Sequence, residues 1–167
     1  MKKANLILEL MHEMNVSLKE LMEASKCITE GHFSLPLYID KKTIVNDPAF
    51  FEENPQTLPK GVVIEEKIYP FSDEAETDVI DSSTKHKNYT QTKNRGIVFP
   101  SAEELKLLAD HFAEYRALAE YFNLLPFTKC VVENENNSNV WLHYYDLIEN
   151  KETSGTIACP YFSVKKL

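Results

Sequence analysis

The feature that most constrains this chain is a short strand running directly into a helix near the middle of the sequence. Gly96-Ile97-Val98-Phe99 reads as a strand, and Pro100-Ser101 turns it into a helix. Ser101 is placed to cap that helix, and Glu104, three residues on, completes a capping box; Glu103 and Glu104 also suit the positive end of the helix dipole. Leu105, Leu108, Phe112, Tyr115, Leu118 and Phe122 then share one apolar stripe. A single helix to Asn123 would be ~34 Å long; one long helix is the reading, with two helices broken near residues 111–114 as the alternative. A stripe of that length needs a cover, and the segments around it that can supply one are strand-like.

Leu35-Pro36-Leu37-Tyr38-Ile39 is extended, with Pro36 pointing to an edge strand or a strand start. Gly61-Val62-Val63-Ile64 reads as a strand that continues through Lys67-Ile68-Tyr69. Residues 127–132, 140–148 and 156–164 complete the β content, with Pro160 indicating an edge or bulge. In residues 140–148 strict alternation puts Trp141, His143, Tyr145 and Leu147 on one face and Val140, Leu142, Tyr144 and Asp146 on the other. Residues 72–95 are polar and read as one long loop, unusual inside a compact domain, with Val79, Ile80 and Tyr89 as its anchors. Before all of this, residues 4–14 form an amphipathic helix pattern, and a second begins at Ser17 with Glu20 completing a capping box. The expected fold class is therefore α+β. A helical hairpin over residues 1–30 packs on the domain, or forms a homodimer through its helices, and residues 31–167 make a single α+β domain with a mixed or antiparallel sheet and one long helix.

Composition narrows the function. The chain has 167 residues, a formal net charge of -8 and four glycines, and neither a G-x-x-x-x-G-K nor a G-x-G-x-x-G pattern occurs. No segment approaches the ~18 apolar residues of a membrane span. Glu9, His12 and Glu13 interrupt the apolar run after Met1-Lys2-Lys3, so no signal-peptide core is present and a cytoplasmic location is expected. Cys27, Cys130 and Cys159 are widely spaced, an arrangement unlike a disulfide framework or a zinc site. Small buried residues are the simpler reading, with pairing across neighbouring strands as the alternative.

From Gly96 onward the order of features resembles the short C-type-lectin-like domains of bacterial fimbrillin-associated proteins and of the variable proteins of diversity-generating retroelements. The resemblance is carried by Gly96-Ile97-Val98-Phe99-Pro100-Ser101-Ala102-Glu103-Glu104-Leu105, which is similar to a G-W-x-L-P-[TS]-x-x-E-L motif. It continues through the helical stretch, the turn over residues 134–139, Trp141, the polar hairpin over residues 149–155 and Val164-Lys165. Ile97 stands where the family has tryptophan, and Cys130-Val131-Val132-Glu133 occupies the place of its W-S-S-T-E motif. The resemblance covers roughly the last 70 residues and implies a C-type-lectin-like fold there and a binding role.

The residues offer no defensible catalytic set. His12, His32, His86, His111 and His143 never take the spacing of H-E-x-x-H, and a Ser/His143/Asp146 triad lacks a G-x-S-x-G elbow. No cofactor and no metal is expected. The richer signal is aromatic: Trp141, Tyr144 and Tyr145, with Tyr161 and Phe162 on the last strand, beside a turn holding Asn134, Asn136 and Asn137. Rigid aromatics beside adaptable amides suit recognition of a protein or surface ligand. The expected function is a non-enzymatic binding module whose ligand-binding residues are Tyr144, Tyr145, Trp141, Asn134, Asn136 and Asn137. The rival readings are a small DNA-associated regulator of a bacterial or mobile element, because Asn15-Val16-Ser17-Leu18-Lys19-Glu20-Leu21 resembles the turn of a helix-turn-helix, and an enzyme whose site is assembled from remote residues. Charge separates the first rival. Residues 1–30 hold slightly more acid than base, and the short basic run of Lys85, Lys87, Lys93 and Arg95 follows a strongly acidic stretch from Glu65 to Asp81. Duplex DNA should therefore bind weakly and lose affinity steeply with salt; submicromolar, sequence-specific binding in a fluorescence-anisotropy titration at physiological salt would promote the regulator.

Overall fold

The computed structural model describes residues 35–40, 43–46, 49–72, 78–82 and 88–167. The helical hairpin expected over residues 1–30, its role in a homodimer, and Cys27 lie outside the described residues. Within them the order is β1 (Leu37–Tyr38), β2 (Ile44–Val45), α1 (Ala49–Glu53), β3 (Gly61–Ile64), β4 (Lys67–Pro70), β5 (Val79–Asp81), α2 (Tyr89–Asn94), α3 (Ala102–Asp110) and α4 (Phe112–Tyr121). There follow β6 (Lys129–Val131), β7 (Leu142–Asp146), β8 (Lys151–Gly155), β9 (Ala158–Pro160) and β10 (Lys165–Lys166). The architecture is α+β, and the pairings within its sheets are antiparallel. One sheet runs β10-β4-β3-β1-β2, a second pairs β5 with β9, and a third runs β6-β7-β8. None of the described helices is long and apolar enough to cross a membrane.

The capping box is formed as the residues dictate. Ser101 Oγ accepts the Glu104 N–H at 3.2 Å and Glu104 Oε1 accepts the Ser101 N–H at 3.1 Å. The one long helix expected is instead two, because His111 separates α3 from α4 as in the alternative reading. Asn123 closes α4 in the left-handed region, with φ 56°, and the Leu124 N–H reaches back to Ala119 O at 2.7 Å. That is the Schellman closure, and Pro126 follows where a helix cannot continue.

Three expectations are corrected. Residues 61–69 are not one strand but the hairpin β3–β4, turned through Glu65 and Glu66 at φ 49° and 65°. Two successive positive φ values make the tight turn that matches strand twist, a place usually taken by Asn-Gly. Residues 72–95 are not an unbroken loop, since β5 pairs with β9 and α2 is capped by Asn88, whose side chain accepts the Gln91 N–H at 2.9 Å. The terminal strand expected over 156–164 is shorter, reduced to β9 over Ala158–Pro160, and β10 lies beyond it and pairs with β4. Pro36 marks a strand start, because β1 is flanked by β2 and β3.

Two apolar clusters result. The larger lies among β1, β3, β4, the α3–α4 pair and one side of the β6–β7 ladder, and includes Leu37, Val62, Tyr69, Leu105, Leu118, Cys130, Tyr145 and Leu147. The smaller gathers Ile80, Tyr89, Phe99, Val131, Leu142 and Cys159, with Tyr144 packed at its margin. Tyr115 is fully buried in the larger one. Its hydroxyl donates to Pro70 O at 2.7 Å and accepts the Phe127 N–H at 3.0 Å, so one side chain of α4 satisfies backbone groups at the end of β4 and just before β6. Tyr115→Phe keeps the ring and leaves both groups buried and unpaired, so it should cost about 1–3 kcal/mol; a urea midpoint unchanged from the wild type would contradict this role.

Candidate functional site: a rigid apolar corner at the start of β7

The turn between β6 and β7 is organised by its own side chains. Asn137 Nδ2 donates to Val132 O at 2.9 Å, and Asn137 Oδ1 accepts the His143 N–H. Asn134 Oδ1 accepts the Asn136 N–H at 2.8 Å, while Asn134 Nδ2 donates to Glu152 Oε1 at 3.0 Å, across to β8. Asn134 and Asn137 are thus committed to internal bonds, whereas the side chain of Asn136 is exposed.

Residues 138–141 complete the turn. Ser138 Oγ accepts the N–H groups of Val140 at 3.3 Å and Trp141 at 3.0 Å. The Ser138 N–H donates to Trp141 O at 2.9 Å, and Thr156 Oγ1 donates to Val140 O at 2.8 Å. All four backbone polar groups of Val140 and Trp141 are therefore satisfied within the chain. Their side chains are nevertheless 67% and 48% exposed. Leu142, the next residue, is fully buried and anchors the corner. Trp141 lies just outside the β7 ladder, so strand alternation does not govern where it points.

Within β7 the alternation holds, but neither side of the strand is simply solvent. Tyr145 faces the larger cluster and is 5% exposed; its hydroxyl donates to Asn150 Oδ1 at 2.7 Å. Asn150, at φ 53° in the β7–β8 turn, passes the connection on to Asp110 Oδ1 at 2.8 Å. Hydrogen bonds from Lys106 and then Asn150 hold the Asp110 carboxyl below its ordinary value, and desolvation raises the Tyr145 phenol. Tyr144 faces the smaller cluster and is half-buried, with Lys129 Nζ 5.7 Å from its ring centroid. Of the two tyrosines, Tyr144 is the one with surface left to offer. The exposure of Val140, and the clamping by Ser138 and Thr156, were missed in the sequence; a serine three residues before a tryptophan, in an asparagine-rich turn, is the signal that could have shown the clamp.

The groups with reactive chemistry are differently placed. Cys130 and Cys159 are free thiols, one in each cluster, and burial pushes the Cys159 thiol up to about 12 and raises that of Cys130 as well. Both stay protonated near neutrality and are poor nucleophiles. Asp146 Oδ1 accepts the N–H groups of Ile148 and Glu149, both at 3.0 Å, in the next turn. Asp146 falls on the opposite side of β7 from His143, which separates the proposed triad. Among the described residues no group of three or more His, Cys, Asp or Glu side chains is placed to hold a metal ion.

The chain matches no protein-family model, no curated protein and no solved structure.

The different seats of the two tyrosines have a measurable consequence. Tyr145→Ala opens a cavity in the larger cluster and should cost about 3 kcal/mol or more, whereas Tyr144→Ala should cost distinctly less. Equal losses in urea unfolding would contradict these placements.

Proposed function

We propose that this chain is a non-enzymatic binding module that recognises a protein partner through the corner formed by Val140 and Trp141. The observation that carries this reading is the pairing of two exposed apolar side chains with a backbone that has no polar group left to satisfy. Such a corner costs little further ordering on binding, and a tryptophan on a fixed backbone is the side chain best suited to dominate a contact. Tyr144 and Asn136 lie on the same strand and turn and extend the surface with a ring and an adaptable amide.

The neighbouring strand favours a protein over a small ligand. His143 O accepts the Val132 N–H, so His143 and Tyr145 turn their backbone groups toward β6 and Leu142, Tyr144 and Asp146 toward β8. By the same alternation Glu152 and Ser154 of β8 direct their amide and carbonyl groups away from the sheet. An extended segment of a partner could bond there while its side chains reach the corner. The exposed charges of Lys151 and Glu152 guard the edge against indiscriminate pairing. A binding role is also what the C-type-lectin-like resemblance over Gly96-Ile97-Val98-Phe99-Pro100-Ser101 implies.

Panning a random peptide display library against the full chain, with Trp141→Ala as counter-target, tests the proposal. Enriched peptides should bind the wild type and lose at least about tenfold in affinity to the variant, roughly 1.4 kcal/mol. Leu58→Ala, which removes an equally exposed side chain elsewhere, should leave them unaffected. Trp141→Ala should change stability by less than about 1 kcal/mol. Peptides indifferent to Trp141, or no enrichment at all, would overturn the assignment.

A further inference from the structure

Strand β8 is the longest edge strand of the described sheets, five residues against the two or three of β2, β5, β6, β9 and β10. Its ladder with β7 fixes which of its backbone groups are spent. Lys151, Thr153 and Gly155 turn their N–H and C=O groups to β7, so those of Glu152 and Ser154 point outward. Among the described residues no hydrogen bond meets these four groups. Two outward residues separated by one inward residue are complementary to themselves. In an antiparallel pairing of two copies centred on Thr153, Glu152 of each faces Ser154 of the other, and every one of these groups finds a partner.

The side chains suit that register. Thr153 stands opposite Thr153, a favourable cross-strand pair, Glu152 opposite Ser154 and Lys151 opposite Gly155. Like charges never face each other directly. Centring the pairing on Glu152 would set two carboxylates face to face, and an in-register parallel pairing would align Lys151 with Lys151 and Glu152 with Glu152. The ends of β8 supply the apolar contact. Val140 and Trp141 precede Leu142, the partner of Gly155, and so sit at one end of the strand, where Thr156 Oγ1 bonds Val140 O. Ile148, in the β7–β8 turn, sits at the other end and is 40% exposed. Antiparallel pairing reverses one copy, which brings Ile148 of each to the end that carries Val140 and Trp141 of the other.

We propose that two copies of this chain associate through β8 as a two-fold homodimer, with one continuous sheet in the order β6-β7-β8-β8-β7-β6. This inference rests on the reading of Val140 and Trp141 as a contact surface, and it names a second copy of the chain as the protein that surface meets. A two-fold interface uses the same patch on both subunits, so each backbone bond and each apolar contact is made twice. The contact is small, one strand and three apolar side chains from each copy, and lies below the about 1,200 Å² of a standard interface. The dimer is therefore reversible, with Kd on the order of 10–100 μM. The net charge of -8 on each copy opposes association at low salt.

Sedimentation equilibrium of the full chain at about 0.15 M salt, over roughly 1–500 μM, should show a reversible monomer–dimer equilibrium. Ser154→Pro removes an outward N–H without touching the β7 ladder. It should leave the near-ultraviolet circular dichroism unchanged and the chain monomeric over the same range. Trp141→Ala should weaken the dimer by about tenfold or more, while Leu58→Ala leaves it unchanged. Thr153→Cys, oxidised with diamide, should form a covalent dimer, because facing residues of a non-hydrogen-bonded pair lie about 4.5 Å apart between Cα atoms. Lys151→Cys is remote from its counterpart in this register and should cross-link no more than the wild type, whose own cysteines set the background. A strictly monomeric wild type would overturn the proposal; peptides that still bind it through Trp141 would leave the corner as a site for a different protein. A dimer indifferent to Ser154→Pro would overturn β8 as the interface, and equal cross-linking at positions 151 and 153 would overturn the register.

Discussion

The hydroxyl of Tyr115 is the point on which the larger cluster depends. Helix α4 could bury an apolar stripe against many surfaces, but here it must also meet two backbone groups that no sheet partner serves: Pro70 O at the end of β4 and the Phe127 N–H before β6. A buried amide or carbonyl without a partner costs as much as several methylenes contribute. Phenylalanine would fill the space and leave both unsatisfied; tyrosine does both tasks. Around it, Phe71 stacks at 5.4 Å and Phe112 tilts at 6.2 Å between ring centroids. The five-stranded sheet, the helix pair and the third sheet are thereby locked to one another at a single side chain.

That lock fixes the β6–β7 ladder, which has buried residues on both of its sides. Cys130 and Tyr145 face the larger cluster, and Val131 and Leu142 the smaller. A strand held on both faces cannot rotate to hide whatever lies just beyond its end. Val140 and Trp141 occupy that place, and the Ser138 and Thr156 bonds remove the remaining freedom of their backbone. Their exposure follows from the packing of their neighbours and not from local flexibility.

What was legible in the sequence, and what was not, divides along the same physical line. The capping box at Ser101, the stripe on α3 and α4 and the alternation of β7 are local patterns, and each formed as read, whereas the one long helix is broken at His111. The β3–β4 turn was hidden because Glu65 and Glu66 adopt positive φ without the glycine or asparagine that signals it. Strand β5 and helix α2 were hidden because distant contacts hold them. Ile80 is fully buried opposite Cys159, and Tyr89 stacks on Phe99 at 4.6 Å. At the candidate site, composition revealed amides and rings but not their partners. Asn134, Asn137 and Tyr145 read as ligand contacts, yet each spends polar capacity inside the chain, while Trp141 is exposed and Tyr144 keeps surface at the margin of its cluster.

Of the basic run over residues 85–95, Lys85 and Lys87 lie outside the described residues, and Lys93 is paired with an acid. Lys93 Nζ lies 3.0 Å from Glu133 Oε1, and that hydrogen bond raises its pKa. Its charge is kept but locally cancelled, and at the ionic strength of a cell a cancelled pair projects little field beyond about 8 Å. A phosphate backbone needs cations aligned along a continuous face, whereas in the described residues Lys67, Lys106 and Lys151 are likewise each tied to a neighbouring acid.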